Sequence, residues 1–194
     1  MSRKRFVMCT LVLAAALVPL RVAAQQGPDT SMALAAQRQA MLALGFLDGV
    51  WRGTAWTLLP SGEKHTIAQT ERIGAFLDGS VKVIEGRGYE TDGRTGFNAL
   101  GIISYNPEKH VYTMRSYAQG NVGDFAFAPT AQGFVSELKV GNVTVRYTAT
   151  VKGPSFHEVG DRITQGIEPV RIFEMDLTRV GDTDWPAAGA VPPK

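Results

Sequence analysis

Short strand-like segments separated by turn sequences constrain the fold of this chain more than any other feature. Turn residues recur about every eight to twelve positions from residue 59 onward, a spacing typical of antiparallel β-proteins. The turns are Leu59-Pro60-Ser61-Gly62, Leu77-Asp78-Gly79, Thr91-Asp92-Gly93, Asn106-Pro107-Glu108, Gly120-Asn121, Gln132-Gly133 and Gly141-Asn142. Such short connections place sequential strands side by side, and closing the resulting sheet into a barrel leaves no exposed strand edge. We therefore expect an all-β fold, an up-and-down antiparallel β-barrel of about nine or ten strands.

The clearest single strand covers residues 143–151. Apolar residues at every second position alternate there with threonines and one arginine. A half-buried strand produces this period of two, whereas a helix does not. The pattern predicts that Val143, Val145, Tyr147, Ala149 and Val151 face the barrel interior.

The N-terminal segment has the three parts of a signal peptide. Arg3, Lys4 and Arg5 precede an uncharged run over residues 6–20, and Ala24 stands at the end of a small-residue cleavage motif. The run is short for a membrane-spanning helix of about 20 residues. We expect cleavage after Ala24, so residues 1–24 are predicted to be removed. The predicted product is a periplasmic or secreted protein with no membrane span.

Removing that segment changes the charge balance. The chain has 20 basic and 18 acidic residues, and four of the basic residues but none of the acidic ones lie in residues 1–24, so the remainder carries a net charge of −2. No basic stripe is present, which argues against nucleic acid as a partner. The single cysteine, Cys9, also lies in the segment. The mature chain is therefore expected to have no disulfide and no cysteine ligand.

The remaining chain divides into a helix, a barrel and a tail. Apolar residues at helical spacing predict one amphipathic helix over residues 29–45. The barrel is predicted over residues 46–180. Residues 181–194 are rich in proline, glycine and alanine and are expected to form an unpacked tail. One helix ahead of a closed barrel predicts a plug or lid at one end.

An ordered set of segments resembles a known family. The first strand opens with Gly49-Val50-Trp51, the signature of lipocalins and the wider calycin group. Further matching segments are Gln69-Thr70-Glu71-Arg72, Val83-Ile84-Glu85-Gly86-Arg87-Gly88, Ile103-Ser104-Tyr105-Asn106, Met114-Arg115-Ser116-Tyr117, His157-Glu158-Val159-Gly160 and Phe173-Glu174-Met175. Together they resemble a widespread bacterial family of small calycin-like barrels of unknown function. The resemblance implies a lipocalin-like barrel with Arg179 placed over Trp51 in a structural role.

Nitrobindin, a haem-binding barrel, is a distant relative by this resemblance. Its axial histidine lies close to the C-terminal strand, but the corresponding segment here, residues 171–179, contains no histidine. The match therefore does not extend to the haem ligand. Met175 lies between Phe173 and Leu177 on one strand face and is expected to be a core residue. We accordingly predict no cofactor.

The three histidines form no recognisable catalytic or metal-binding motif. His65, His110 and His157 are far apart in sequence, and no H-E-x-x-H or G-x-S-x-G pattern occurs. The sequence therefore predicts no metal site, no catalytic residue and no enzyme. A metal site assembled from distant strands stays open as an alternative. His157 is retained as a candidate because it belongs to the family-like segments.

Polar residues at expected inward positions are the main functional signal. An unpaired charge inside a barrel costs several kcal/mol, so such residues indicate a site or an internal salt-bridge network. Glu71 shares its strand face with Ile67 and Ile73, while Glu85 and Arg87 share theirs with valines. Arg115 and Tyr117 share a face with Val111 in the same way. The predicted ligand-binding residues are Glu71, Glu85, Arg87, Arg115, Tyr117, Tyr105 and His157.

These features predict an exported lipocalin-like barrel that binds a small apolar or amphipathic molecule. Its polar or anionic head is expected near Arg87 and Arg115. Its apolar body is expected against Phe97, Ile103, Tyr105, Phe125, Phe127, Val145 and Tyr147. Three alternatives stay open: a haem or metal protein, a weak acid–base enzyme using Glu71 and Glu85, and a structural envelope protein without a ligand. The sequence leaves the oligomeric state open.

Overall fold

The computed structural model describes residues 30–185, and ten antiparallel strands form one closed barrel. The strands are β1 (Gly49–Leu58), β2 (Lys64–Phe76), β3 (Val81–Tyr89), β4 (Thr95–Asn106), β5 (Val111–Ala118), β6 (Asn121–Thr130), β7 (Gly133–Val140), β8 (Val143–Lys152), β9 (Ser155–Thr164) and β10 (Ile167–Gly181). Each pairs with its sequence neighbours, and β1 closes the barrel by pairing with β10. The predicted up-and-down barrel is confirmed. The predicted signal peptide lies outside the described residues.

A single α-helix, α1 (Thr30–Leu42), precedes the barrel and is followed by a short 3₁₀ turn at Gly45–Leu47. The predicted N-terminal helix is thus confirmed. The Tyr112 hydroxyl donates a hydrogen bond to the Ala40 carbonyl at 3.2 Å, and the Arg38 side chain reaches Asp78 in the β2–β3 turn. These contacts place α1 at the barrel end where β2 leads into β3. Neither helix within residues 30–185 has the length and hydropathy of a membrane-spanning segment.

The hydrophobic core lies at the helix end of the barrel. Trp51 is fully buried, its indole nitrogen donates to the Leu47 carbonyl at 3.0 Å, and its ring meets Phe156 edge to face at 5.5 Å. The surrounding buried side chains are Met41, Leu44, Leu47, Ile73, Ile103, Phe127, Phe134 and Leu177. Each large side chain buried here stabilises the fold by about 1.5–3 kcal/mol. These side chains therefore fill the barrel interior at the helix end, which is called the filled base below.

The relationship between Trp51 and Arg179 differs from the expected one. The two residues are partners in the β1–β10 register. However, the cation–π pairs in the described part of the chain involve other aromatic residues. The Arg179 guanidinium instead donates to the Asp48 carbonyl at 3.2 Å and to Asp182 at 2.6 Å. Charged and carbonyl oxygens bind a guanidinium more strongly than a ring face does, which explains the difference.

The chain after β10 is packed at its start. Gly181 is the last residue of β10, and Trp185 meets Phe76 edge to face with ring centroids 5.3 Å apart. The Arg72 guanidinium lies 4.6 Å from the Trp185 ring. Packing therefore continues to Trp185, beyond the predicted start of the tail at residue 181. The rest of the predicted tail lies outside the described residues.

Candidate functional site

A cavity of about 400 Å³ lies between the filled base and the opposite end of the barrel, where it is partly open to solvent. Its wall is mainly apolar and carries six aromatic side chains: Phe97, Phe125, Phe134, Tyr147, Phe156 and Phe173. The polar lining residues are Gln69, Glu71, Ser116, Ser136 and Glu158, together with Thr57 and His65. The volume is at the lower end of the range of about 300–1,000 Å³ typical of small-molecule sites.

Small residues at inward positions create this space. The lining includes Gly86, Gly96, Ala99, Gly101 and Ala118 on the adjacent strands β3, β4 and β5. Large apolar residues at these positions would fill a ten-stranded barrel, because inward side chains occupy the interior of small barrels. The cavity therefore follows from the side-chain sizes on one side of the barrel.

Glu71 on β2 is the most buried charged residue of the cavity, with 8% of its surface exposed. The Gln69 side-chain amide donates a hydrogen bond to Glu71 Oε1 at 2.8 Å. Glu71 Oε2 has no hydrogen-bond partner among the described residues. Burial raises the pKa of Glu71 to about 7; the Gln69 hydrogen bond lowers this pKa and the nearby charge of Glu85 raises it. Glu71 is thus partly protonated at neutral pH.

Glu158 on β9 is a second cavity carboxyl that the sequence reasoning missed. Burial raises the pKa of Glu158 to about 8, and the charge of Glu71 raises it further. One sequence signal was available, since Glu158 shares its strand face with Phe156. Glu158 is also the register partner of Ala149, which was predicted to face inward. His157, which was predicted as a ligand-binding residue, points to the outer face of the barrel instead.

Of the predicted ligand-binding residues, Glu71 alone lines the cavity. Glu85 and Arg87 lie on the outer face, where the Arg87 guanidinium contacts Glu85 Oε1 at 2.6 Å. Arg115 also faces outward and pairs with Asp124 at 3.0 Å. Its Nε donates to the Tyr117 hydroxyl at 3.1 Å. The expected inward direction of these four residues was wrong.

Cavity formation explains this error. Three of the inward positions on β3 and β5 that border the open space carry small side chains: Gly86, Ser116 and Ala118. The apolar alternation of these strands therefore came from outward residues such as Val83 and Val111. On these two strands, the face assigned from hydrophobicity was therefore the outer one.

Tyr105 and His157 lie away from the cavity. The Tyr105 hydroxyl contacts His110 Nδ1 at 3.1 Å, and its ring packs on Tyr112 beside the core at 4.8 Å. His157 faces outward, with its Nδ1 2.7 Å from Asp176 Oδ1. Of the predicted apolar wall, Phe97, Phe125 and Tyr147 line the cavity. Ile103 and Phe127 belong to the buried core, and Val145 is not a lining residue.

Within residues 30–185, the outer face brings together one set of residues with metal-ligand chemistry. Potential ligand atoms of His157, Glu174 and Asp176 lie within 4.8 Å of one another. Sequence spacing gave no sign of this set because it crosses between β9 and β10. The Glu174 carboxylate already accepts a hydrogen bond from Trp56 at 3.2 Å, and Asp176 is largely exposed. The three side chains are partly or largely solvated and already pair with protein groups, so their proximity is explained without a metal ion.

Comparison with known proteins adds evidence on the fold alone. No family model and no curated protein matches this chain. Its structure is similar to the crystal structure of Rv2717c from M. tuberculosis, with a TM-score of 0.55 and 13% sequence identity. The similarity covers 72% of this chain and 96% of that chain. A barrel of this kind is therefore found in a protein of very different sequence.

Proposed function

We propose that this protein is an exported, calycin-like barrel that binds a small, mainly apolar molecule in its interior. The observation that carries the proposal is the cavity of about 400 Å³, bounded by six aromatic side chains and a few polar groups. Binding sites for small molecules have this composition, in which apolar surface supplies affinity and a few polar groups fix orientation. The proposal gives the cavity a binding role and no catalytic one.

The polar end of the ligand is proposed to lie at Glu71 and Glu158. The sequence had suggested an anionic head at Arg87 and Arg115, but both guanidiniums lie on the outer face. Within the cavity the ionisable groups are carboxyls, a phenol and the rim residue His65. An anionic head would face carboxylates there, so that part of the sequence prediction is not retained.

Export is proposed from the features of residues 1–24. Expression of the full chain in a bacterium with a periplasm, followed by mass measurement of the periplasmic protein, tests it. The expected product begins at Gln25. A full-length product confined to the cytoplasm would contradict export and leave the binding proposal unaffected.

Binding is tested with nonanol, a neutral molecule whose size suits a cavity with room for about a dozen water-sized groups. Isothermal titration calorimetry of the full chain is expected to show one site per chain. Ala99→Phe is expected to weaken binding at least tenfold, because its new ring enters the cavity. Leu100→Phe is the matched control, since the next residue is outward and exposed. Equal affinity in both variants would place nonanol elsewhere on the protein.

Native mass spectrometry of protein isolated from its own host is the complementary experiment. A stoichiometric small molecule that is released on denaturation is the expected result. An empty protein that also fails to bind nonanol would contradict the proposal and favour a ligand-free structural role. A Soret band in the same preparation would instead identify a haem protein.

A further inference from the structure

The ionisable side chains that line the cavity are two carboxyls, one phenol and one imidazole. Two carboxyls, Glu71 and Glu158, line it, and no lysine or arginine is found among its lining residues in the described part of the chain. The buried cation Lys82 is not a lining residue; it lies at the helix end of the barrel and pairs with Asp48. When ionised, the cavity is therefore negative, which favours a cationic ligand group over a neutral or anionic one.

Two buried polar atoms of the cavity are also left without a hydrogen-bond partner in the described part of the chain. Glu71 Oε2 and Ser136 Oγ are both buried without a partner among the described residues. Glu71 and Ser136 are only 8% and 1% exposed. A buried acceptor left without a donor costs about 1–3 kcal/mol, so a ligand that supplies N–H groups here removes that cost. Two carboxyls and a hydroxyl together match a ligand group with several donors.

Aromatic rings border the same space. Tyr147 lies between Phe125 and Phe173, at centroid distances of 6.2 and 5.7 Å. Tyr147 and Glu158 both line the cavity, and the pKa of the Tyr147 hydroxyl is raised by burial and, second, by the charge of Glu158. Ring faces attract cations and also accommodate apolar chains. The wall thus suits both parts of an amphiphilic cation.

We infer that the cavity binds an amphiphilic amine or amidine, whose protonated nitrogen donates hydrogen bonds to Glu71 and Glu158 while its apolar body lies along the aromatic wall. The inference rests on the proposed binding function and names the chemical class of the ligand. It excludes fatty acids and other anionic amphiphiles as the preferred ligands. It also gives Glu158, which no sequence motif singled out, the role of a specificity-determining residue.

Cation binding is expected to displace protons. With pKa values of about 7 and about 8, the empty pair carries protons at neutral pH. The other titratable groups of the cavity are Tyr147 and, beside Glu90, His65; the outer-face residue Glu85 acts on Glu71 through its charge. An ammonium group stabilises the ionised carboxyls, so its binding releases protons and its affinity rises with pH between 6 and 8.

Calorimetric titration of the full chain with nonylamine, nonanol and nonanoate separates head-group preference from apolar binding. The three probes share one chain length and differ in the head group. At pH 8 nonylamine is expected to bind at least tenfold more tightly than nonanol, and nonanoate least tightly. Nonylamine is expected to show heats that depend on the ionisation enthalpy of the buffer with the sign of proton release.

Glu158→Gln and Glu71→Gln test the two carboxyls. Each variant is expected to weaken nonylamine at least tenfold and to change nonanol affinity less than threefold, because size and shape are retained. Glu137→Gln is the matched control, since Glu137 follows the cavity residue Ser136 but pairs with Arg146 on the outer face. Circular dichroism establishes that each variant is folded. The comparison of the three probes on the unaltered chain needs no variant.

The outcomes separate the two proposals. Nonanol binding as tight as nonylamine would overturn the amine inference and leave the binding function standing. Tighter binding of nonanoate would overturn it as well. Failure of all three probes to bind would overturn the binding function and the inference with it. A preference for nonylamine that survives both glutamine variants would place the amine site outside the carboxyl pair and contradict the inference.

Discussion

The Glu71 carboxyl occupies the space beside Gly86 that a side chain at that position would fill. A Cβ atom on Gly86 would lie 2.8 Å from Glu71 Oε1, closer than van der Waals contact. Glu71 and Gly86 are register partners on β2 and β3, so the two residues are neighbours along the barrel wall. The buried carboxyl therefore depends on a glycine in the adjacent strand.

This relationship predicts different costs for two nearby alanine substitutions. Gly86→Ala meets the movable end of Glu71, which has the cavity to turn into, so we expect the free energy of unfolding to change by less than about 1 kcal/mol. Gly88→Ala meets the Ile67 side chain and the Phe97 Cβ, which are packed. A loss of about 1–3 kcal/mol is expected there from overpacking. Urea unfolding measures the free energy of unfolding of both variants. Equal losses would contradict a movable neighbour at Gly86 and packed neighbours at Gly88.

The two cavity carboxyls predict a pH dependence of stability. The pKa of Glu71 rises from 4.5 to about 7 on folding, and that of Glu158 rises to about 8. The folded state therefore holds these protons more tightly than the unfolded state, and the free energy of unfolding falls as pH rises from about 4.5 to about 8. Glu71 alone contributes roughly 3 kcal/mol to this change, at about 1.4 kcal/mol per pKa unit. Urea unfolding at pH 5 and pH 8 measures it.

Glutamine variants isolate the contribution of each carboxyl to this slope. Glu71→Gln and Glu158→Gln are both expected to be more stable than the unaltered protein at pH 8, because neither carries a buried charge there. Each is also expected to flatten the dependence between pH 5 and pH 8. Glu137→Gln, on the outer face, is expected to leave the slope unchanged. A slope equal to that of the unaltered protein in both cavity variants would contradict the raised pKa values.

The buried amine of Lys82 predicts an asymmetric response to substitution at the closed end. Lys82 is 1% exposed and pairs with Asp48, which is about one-third exposed. Asp48→Asn leaves the cation buried without its partner and is expected to cost about 2 kcal/mol or more. Lys82→Met removes the buried charge and is expected to cost less, because water reaches the remaining carboxylate. Asp78→Asn, in an exposed pair with Arg38, is the control with an expected change below about 0.5 kcal/mol.

Local sequence chemistry was sufficient to predict the barrel. The predicted turns coincide with seven of the nine connections between consecutive strands, all but β8–β9 and β9–β10, and Gly79, Gly93 and Gly120 in them have positive φ. The alternation in β8 also predicted correctly which of its side chains face the interior, because Ala149 is buried and Tyr147 lines the cavity. Each of these signals depends on neighbouring residues only. Short-range patterns therefore predicted the approximate number of strands, and the inward faces of β2 and β8 but not those of β3 and β5.

The cavity could not be predicted in the same way. Three of its inward residues on β3 and β5 are Gly86, Ser116 and Ala118, which carry little hydrophobic signal. The second cavity carboxyl, Glu158, is separated from Glu71 by almost half of the chain, and the strands that carry them become near neighbours only when β1 closes on β10. Alternation along β9 points His157, the neighbour of Glu158 in sequence, to the outer face. The site depends on contacts that no local pattern encodes.

Trp185 predicts that the segment after β10 contributes to stability. Its ring packs edge to face on Phe76 and beneath the Arg72 guanidinium, and its Cβ lies close to Gly74, so it covers the end of β2. Trp185→Ala is expected to lower the free energy of unfolding by about 1–2 kcal/mol through loss of the aromatic and cation–π contacts. Trp185→Phe retains a ring and is expected to lose less. Asp184→Asn is the control, since its ion pair with Arg72 is exposed and contributes below about 0.5 kcal/mol. Urea unfolding followed by circular dichroism measures the free energy of unfolding of all three variants. An unchanged value for Trp185→Ala would contradict a stabilising role for the segment after β10.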